Sequence, residues 1–306
     1  MSVEAGRARA TSAIAVAALL WGTTGTAASF VDGSVSPFAI GAATMGFGGL
    51  LLALTAPRAT VAVLRDPGSR RWVALGALGV FVYPLAFYSG MDLAGVAIGN
   101  VVALGTGPVV TAVLERAIDR HPLSRAWAIA TALAIAGMIL LATARHPSAG
   151  EDVVAGVLLG LTAGIAYALY TFASARAIGA GHASRGVVGA VFGCGAVGLV
   201  LVLIVTGGPL LDAPGSWPIV GYLVLGPMFV AYLLVGFALR TLRSSAVATI
   251  ALLEPVTATV LAVVVVGERL EPLAWIGVAS ILIGIVLLVS ARPPRMREGA
   301  GLDSEP

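Results

Sequence analysis

Residues 251–262 read ALLEPVTATVLA, and residues 104–115 read LGTGPVVTAVLE. The two stretches align with Pro255 on Pro108. Two further matches keep nearly the same spacing: AWAIATALAIAGMILLAT (126–143) pairs with AWIGVASILIGIVLLVSA (274–291), and Trp21 pairs with Tyr167. Three matches in one order at a nearly constant offset are not expected by chance. The sequence therefore predicts two copies of one unit, residues 1–148 and residues 149–306.

The composition indicates that both copies lie in lipid. Hydrophobic residues make up 58% of the chain and charged residues 11%, against about 25% charged residues in a soluble domain. Mean hydropathy is +1.00. Runs of about 20 apolar residues cross a membrane as helices, whereas a transmembrane β-barrel needs alternating patterns. We predict an all-α integral membrane protein with ten spans, in the nearly uncharged runs 10–31, 33–57, 72–91, 93–114, 126–144, 153–175, 186–211, 213–239, 244–267 and 272–291.

The arginines indicate how these spans are oriented. The chain has no lysine, and sixteen of its eighteen arginines fall in the two tails and in alternate loops. Arg145 and Arg269 fall on the other side. Cytoplasmic loops carry an excess of basic residues, so we expect both termini in the cytoplasm of a protein of the cell (plasma or inner) membrane. This asymmetry also explains the pI of about 9.4 without a nucleic-acid partner.

Each copy has five spans, which is an odd number. If the first copy begins in the cytoplasm, the second must begin outside, so the copies are related by a two-fold axis in the membrane plane. Such inverted repeats are typical of secondary transporters, whose substrate site lies near mid-membrane between the copies. The sequence thus predicts alternating access of a small-molecule substrate from the two sides.

Glu254 is the one charged residue within the run 244–267. Eight residues separate it from Ala246, where we expect the span to enter the membrane, so the carboxyl lies about 12 Å deep. A charge at mid-membrane costs roughly 2.5–3.5 kcal/mol, and removal from water favours the neutral acid. We expect Glu254 to line a cavity and to exchange protons or bind a substrate amine. A structural carboxyl held by a neighbouring helix is the alternative.

Other polar or aromatic side chains lie deep enough in the predicted spans to contact a substrate. The predicted pathway residues, besides Glu254, are Tyr83, Asn100, Tyr167, Tyr170 and Tyr232. Tyr88 is the weakest candidate because tyrosines near span ends are often interfacial anchors. The alternative role of Asn100 is a hydrogen bond between two helices. Prolines inside spans predict helix kinks, which either bend during gating or only shape the bundle; they are Pro84, Pro108, Pro227 and Pro255.

The remaining motifs leave several alternatives open. Gly156, Gly160 and Gly164 form two GxxxG steps, which favour close helix packing within the chain or in a homodimer. Cys194 is the single cysteine, and the three histidines are far apart in loops, so we expect no metal, no cofactor and no catalytic residues. Neither a GxSxG nor an HExxH motif of an enzyme occurs. A facilitative channel or uniporter remains an alternative to a carrier.

The sequence resembles the EamA-type branch of the drug/metabolite transporter superfamily. The resemblance rests on LLWGTTG (19–25), on the Pro108 and Pro255 helices, and on LLEPVTATVLAVVVVGERLEPLAWIG (252–277). It implies ten helices in two inverted halves and the export of small metabolites or drugs, with amino acids among the expected substrates. It also adds Trp21 to the pathway residues. In that family the first copy tends to carry a glutamate about 13 residues after its proline; here His121 stands at that place and Glu115 lies earlier.

Overall fold

A computed structural model describes residues 3–120, 122–143, 152–266 and 271–291 of this chain. Several residues used in the sequence analysis lie outside the described residues: His121, Arg145, Arg269, His146 (one of the three loop histidines) and the C-terminal tail from residue 292. The predicted boundary between residues 148 and 149 lies outside them as well.

Within this part of the chain, ten helical segments are long and apolar enough to cross a membrane. In chain order, spans 1 to 10 are Glu4–Ala28, Pro37–Thr55, Pro67–Ala94, Ile98–Ile118, Arg125–Thr143, Val153–Gly179, Ser184–Thr206, Pro214–Ala238, Ser244–Val265 and Pro272–Ser290. Two short helices, Pro57–Arg65 and Gly208–Asp212, lie in the connections that follow spans 2 and 7. The ten predicted spans are confirmed.

Three of the ten spans are not single α-helices. Span 1 divides into Val3–Gly22 and Thr24–Ala28. Span 9 divides into Ser244–Ala251 and Leu253–Leu261, followed by a π-helical turn, Ala262–Val266. Span 8 comprises a 3-10 turn, Pro214–Ser216, then Trp217–Leu223, a π-helical turn over Val224–Val230, and Ala231–Ala238. Irregular backbone is therefore concentrated in spans 1, 8 and 9.

The four span prolines fall in two different settings. Pro255 lies in the first turn of Leu253–Leu261, where its missing N–H and fixed φ are tolerated. Pro227 lies within the π-helical turn of span 8. Pro84 and Pro108 lie inside helices that continue on both sides of them. Only the Pro227 and Pro255 positions coincide with irregular helix geometry; whether any of the four bends during gating stays a prediction.

The packing of the spans follows an inverted two-fold arrangement. Spans 2 and 7, 4 and 9, and 5 and 10 each pack against their own counterpart in the other half. Span 3 packs on span 6 in the same way that span 8 packs on span 1. Counterparts are five positions apart in the order of the spans, which is an odd number, so the members of a pair cross the membrane in opposite directions. The predicted fold class, ten transmembrane helices in two inverted five-helix repeats, is confirmed.

Glycines bring several of these helices into backbone contact. A Cβ on Gly156 would lie 2.4 Å from the Ala94 nitrogen, and one on Gly164 would lie 2.4 Å from Thr106 Cβ. Gly160 faces Val102 less closely, since a Cβ on it would lie 3.1 Å from Val102 Cγ1. The two GxxxG steps therefore pack against spans 3 and 4 of the same chain, while the predicted homodimer stays a prediction.

We define the N-terminal face as the side of the bundle where span 1 begins. All odd-numbered spans begin there and all even-numbered spans end there, because the spans alternate in direction. On this face the Arg176 guanidinium pairs with the Asp119 carboxylate, joining spans 6 and 4. His182 pairs with Asp66 across two connections on the same face. These two contacts connect helix ends on the N-terminal face, which is the side that the arginine pattern predicts to be cytoplasmic.

Candidate functional site

A cavity of about 100 Å³ lies in the middle of the bundle, where both halves contribute side chains. We call it the central cavity. Its lining comes from spans 1, 2, 3, 6, 8 and 9 and comprises Trp21, Thr24, Gly41, Thr44, Met45, Tyr83, Pro84, Phe87, Tyr88, Tyr167, Tyr170, Leu223, Pro227, Met228, Tyr232 and Glu254. A few water molecules fit in this volume. Sites for drug-sized ligands measure roughly 300–1,000 Å³, so a larger substrate requires the cavity to widen.

The depth of the cavity can be read from the positions of its residues along the spans. Glu254 follows the start of span 9 by ten residues, which corresponds to about 15 Å along a helix axis. Tyr83 and Tyr167 lie near the middle of spans 3 and 6. The hydrocarbon core of a bilayer is about 30 Å thick, so the cavity lies close to mid-membrane.

The Glu254 carboxyl has no protein partner in the part of the chain that the structure describes. No side chain or backbone group donates a hydrogen bond to it, and no basic residue pairs with it. Glu254 is half-buried and lines the cavity, and an unpaired carboxylate in a low-dielectric site is costly. The alternative of a structural carboxyl held by a neighbouring helix therefore lacks its expected donor. A proton, water or a bound ligand must satisfy this group.

The helix breaks of spans 1 and 9 meet beside Glu254. Gly22 lies at the break in span 1, and a Cβ on it would be 2.8 Å from the Glu254 carbonyl oxygen and 2.4 Å from Thr257 Cβ. Only glycine permits so close a contact without displacing its neighbour. Discontinuous helices at mid-membrane are a feature of binding sites in inverted-repeat transporters, because they expose backbone polar groups to a cavity.

Aromatic residues from both halves build the walls of the cavity. Trp21 donates a hydrogen bond from Nε1 to the Pro227 carbonyl oxygen, 2.8 Å away. The Trp21 ring also lies 5.3 Å from that of Tyr232, and the Tyr83 ring lies 6.1 Å from that of Tyr167. These contacts fix the orientation of the rings around Glu254.

Packed side chains close the central cavity toward the N-terminal face. The hydroxyls of Tyr170 and Tyr232 share a hydrogen bond of 2.9 Å, and the Phe192 ring lies 4.2 Å from that of Tyr232. Buried apolar residues such as Val235 and Ala248 fill the bundle beyond them. In this conformation a molecule in the cavity has no direct way to the N-terminal face.

The packed side chains between the central cavity and the N-terminal face are called the closure below. At the end of the closure that is nearer the N-terminal face, Glu115 joins the two halves. The residue is 3% exposed and lies at the end of span 4. Its carboxylate accepts hydrogen bonds from Ser244 Oγ at 2.6 Å, Ser245 Oγ at 2.6 Å and the Ser245 backbone N–H at 3.0 Å. Ser244 begins span 9, so a negative charge from one half satisfies the helix N-terminus of the other half.

Replacing Glu115 with alanine should therefore destabilise the fold. The change removes three hydrogen bonds and leaves the buried donors of Ser244 and Ser245 without an acceptor. Hydrogen bonds to charged groups contribute roughly 1.5–3 kcal/mol each and are not additive, so we expect the free energy of unfolding to fall by about 2–4 kcal/mol in a denaturant titration in detergent. Glu271→Ala is the matched control, because Glu271 is exposed and makes no capping hydrogen bond. An equal stability of both variants would contradict the role of Glu115.

A second, wider cavity of about 600 Å³ opens at the N-terminal face. Glu115, Asp119 and Arg176 lie in its wall together with the connection between spans 8 and 9. Its charged groups are largely satisfied by one another or by solvent, since Arg176 pairs with Asp119 and both Arg240 and Arg243 are exposed. This cavity leads to the closure but does not reach Glu254.

The structure brings most of the predicted pathway residues together. Trp21, Tyr83, Tyr167, Tyr170, Tyr232 and Glu254 all line the central cavity, as do Pro84 and Pro227. Asn100 lies outside that lining, and its Oδ1 is buried without a hydrogen-bond partner among the described residues. Pro108 and Pro255 do not line the cavity either.

The sequence ranked Tyr88 as the weakest candidate and gave no indication of several other lining residues. Span 3 continues to Ala94, so Tyr88 is not at the end of its span, and it lines the cavity. Thr24, Thr44, Met45, Phe87 and Met228 carried no sequence signal that separates them from ordinary span residues. A helical spacing from Tyr83 to Phe87 is the one pattern that could have indicated a shared face.

Two inverted halves around a mid-membrane cavity define a membrane transporter built from inverted repeats. Comparison with known proteins identifies the family. The chain matches the EamA-like transporter family over residues 9–143 and again over residues 154–290. It belongs to that family, and the resemblance read from the sequence is confirmed.

Individual relatives agree with this assignment. The chain is 32% identical over 288 residues to "Uncharacterized transporter YwfM" of Bacillus subtilis (strain 168), covering 93% of this chain and 94% of that protein. It is 29% identical over 149 residues to an "Uncharacterized transporter" of Clostridium kluyveri, covering 46% of each. A solved crystal structure superposes with a TM-score of 0.76 at 25% identity, covering 91% of this chain and 95% of the other.

Proposed function

We propose that the protein is a secondary carrier that moves small organic molecules across the membrane by alternating access and exchanges them for protons at Glu254. The observation that supports this most directly is the unpaired Glu254 carboxyl at mid-membrane, in a cavity to which both halves contribute. A group that is alternately charged and neutral there can hold a proton in one conformation and a substrate in another. Ionisable residues inside membranes are rare, and they often mark substrate or ion pathways.

The inverted packing supports a carrier rather than a channel. Two similar halves can exchange their conformations, which opens the site first to one side and then to the other. The packed side chains from Tyr170 and Tyr232 to Glu115 block the N-terminal side in this conformation, whereas a channel needs a continuous path. The family match and the names of the relatives support a transporter rather than an enzyme.

The proposed orientation places the N-terminal face in the cytoplasm of a cell-membrane protein, as the arginine asymmetry predicts. Export, favoured by the family resemblance, then requires the cavity to open toward the N-terminal face, load the substrate and release it on the opposite face. Proton exchange drives export when the outside is more acidic than the cytoplasm, because Glu254 is protonated from outside and releases its proton inside.

A vesicle experiment tests this proposal. Inside-out vesicles that contain the protein should accumulate the substrate from a panel of amines, amino acids and drug-like molecules when their lumen is made acidic, since the lumen corresponds to the outside. Collapsing the pH gradient should abolish this accumulation while leaving exchange of labelled for unlabelled substrate. Uptake that only equalises the substrate concentrations whatever the pH gradient, or flux that shows no such exchange, would favour a uniporter or a channel.

A further inference from the structure

The walls around Glu254 have the chemistry of a site for an organic cation. Seven of the sixteen lining residues are aromatic, two are methionines, and Glu254 is the one acid among them. No basic residue lines the cavity in the described part of the chain. Aromatic ring faces attract cations that lie within about 6 Å of the ring centre. We propose that this cavity selects an organic monocation, a quaternary or protonated amine; this inference rests on the transport function proposed above.

The rings surround the cavity from several directions. The Tyr83 ring lies 5.9 Å from the Tyr170 ring at an interplanar angle of 84° and 6.1 Å from the Tyr167 ring at 54°. On the other wall, Trp21 and Tyr232 are inclined at 55°. Tyr83 and Phe87 stack on one another at an interplanar angle of 18°, but the ring pairs given above are tilted, so the ring faces on the two walls point in different directions. A cation in the cavity can therefore contact more than one ring face while its charge lies near Glu254.

The same walls disfavour an anionic group. Carboxylates and phosphates are normally held by arginine, lysine or a free helix N-terminus. The helix Leu253–Leu261 begins at the cavity, but Glu254 already lies in its first turn. A zwitterionic amino acid would place its carboxylate beside this acid with no basic partner. We therefore expect amino acids to bind more weakly than monocations of similar size.

Proton and cation then compete for one carboxylate. When the cation binds, the Glu254 carboxyl releases one proton; when the cation leaves, the carboxylate takes up one proton, so the exchange is electroneutral. The other titratable groups that line the cavity are tyrosines of spans 3, 6 and 8, namely Tyr83, Tyr88, Tyr167, Tyr170 and Tyr232. Tyrosines ordinarily titrate near pH 10 and stay neutral in this exchange. Binding of a cation should accordingly weaken as the pH is lowered.

Three ligands that share one shape test the charge selectivity. Choline is the cation, 3,3-dimethylbutan-1-ol is its uncharged carbon analogue, and glycine betaine adds a carboxylate to the same head group. Isothermal titration calorimetry of the full-length chain in detergent should show choline binding about tenfold or more tightly than either of the others. Equal affinity for choline and the carbon analogue, or a preference for betaine, would overturn the proposal.

Variants at one ring separate cation binding from a general change in shape. Tyr83→Leu should weaken choline binding by about threefold to thirtyfold while leaving 3,3-dimethylbutan-1-ol unchanged, and Tyr83→Phe should retain choline binding because it keeps the ring. Trp275→Leu is the control, since Trp275 is 48% exposed on span 10 and outside the cavity. An equal loss of both ligands in Tyr83→Leu would contradict a cation-specific ring.

The binding experiment tests the cation site and the vesicle experiment tests the coupled carrier, so either proposal can be refuted without the other. Selective choline binding without gradient-driven transport would retain the cation site and refute the coupled carrier. Gradient-driven transport of a substrate that carries a carboxylate would retain the carrier and refute the cation site.

Discussion

Glu254→Gln should abolish the accumulation of substrate in response to a pH gradient. A gradient of one pH unit contributes about 1.4 kcal/mol per exchanged proton and sustains roughly tenfold accumulation. Glutamine has nearly the same shape as glutamate but cannot release a proton, so the accumulation ratio should fall to about one. The measurement is uptake into inside-out vesicles with an acidic lumen, with the expressed amount of each variant determined in parallel.

The structure predicts that this variant still folds. The Glu254 carboxyl has no hydrogen-bond partner among the described residues, so the amide breaks no protein contact. Its thermal unfolding in detergent should therefore match that of the wild type. Glu271→Gln is the control, because Glu271 is exposed and should keep the full accumulation. If Glu254→Gln accumulated substrate as well as the wild type does, Glu254 would not be the proton-exchanging group.

Gly137→Ala should strongly destabilise the bundle. Spans 5 and 10 pack through their backbones, and a Cβ on Gly137 would lie 2.5 Å from the Gly277 carbonyl oxygen. The contact is reciprocal, since a Cβ on Gly277 would lie 2.6 Å from the Gly137 carbonyl oxygen. Neither atom belongs to a flexible side chain, so two helices must move apart. Overpacking of this kind costs roughly 1–3 kcal/mol and occasionally more, and we expect the upper end of that range.

The same substitution at another span glycine provides the control. Gly221 lies in span 8, and a Cβ on it would meet no atom within 4 Å. Gly221→Ala should leave the unfolding temperature unchanged or raise it slightly, because alanine restricts the unfolded chain more than glycine does. Fluorescence-detected gel filtration after heating separates the two variants. Similar heat stability of both would show that the close packing of spans 5 and 10 does not limit stability.

The position of Glu254 shows how far the sequence could lead toward the site. One acid in an apolar span indicated a mid-membrane group, because the cost of its burial depends only on its depth. Asn100 lies seven residues inside its predicted span, yet span 4 begins only at Ile98, so Asn100 lies near the end of the span and outside the central cavity. Depth counted along the sequence is therefore only as good as the predicted start of the helix, and that start depends on how the preceding turn folds.

Glu115 illustrates what the sequence concealed. Its donors, Ser244 and Ser245, are 129 and 130 residues away in the chain. From the sequence it was a charge near the end of a span, displaced from the position that the family resemblance favours. Only the packing of span 4 against span 9 shows that its carboxylate satisfies the first turn of the opposite half.

The sequence by itself determined the spans, their number and the inversion of the second half. These features follow from the length of apolar runs and from an odd number of crossings, which are properties of the chain read in order. The tertiary structure decided which aromatic rings share a cavity with Glu254, that Trp21 bonds to the Pro227 carbonyl 206 residues away, and that the cavity is closed on the N-terminal face. Those features depend on contacts between distant residues, and a uniformly apolar sequence gives little information on which helix faces meet.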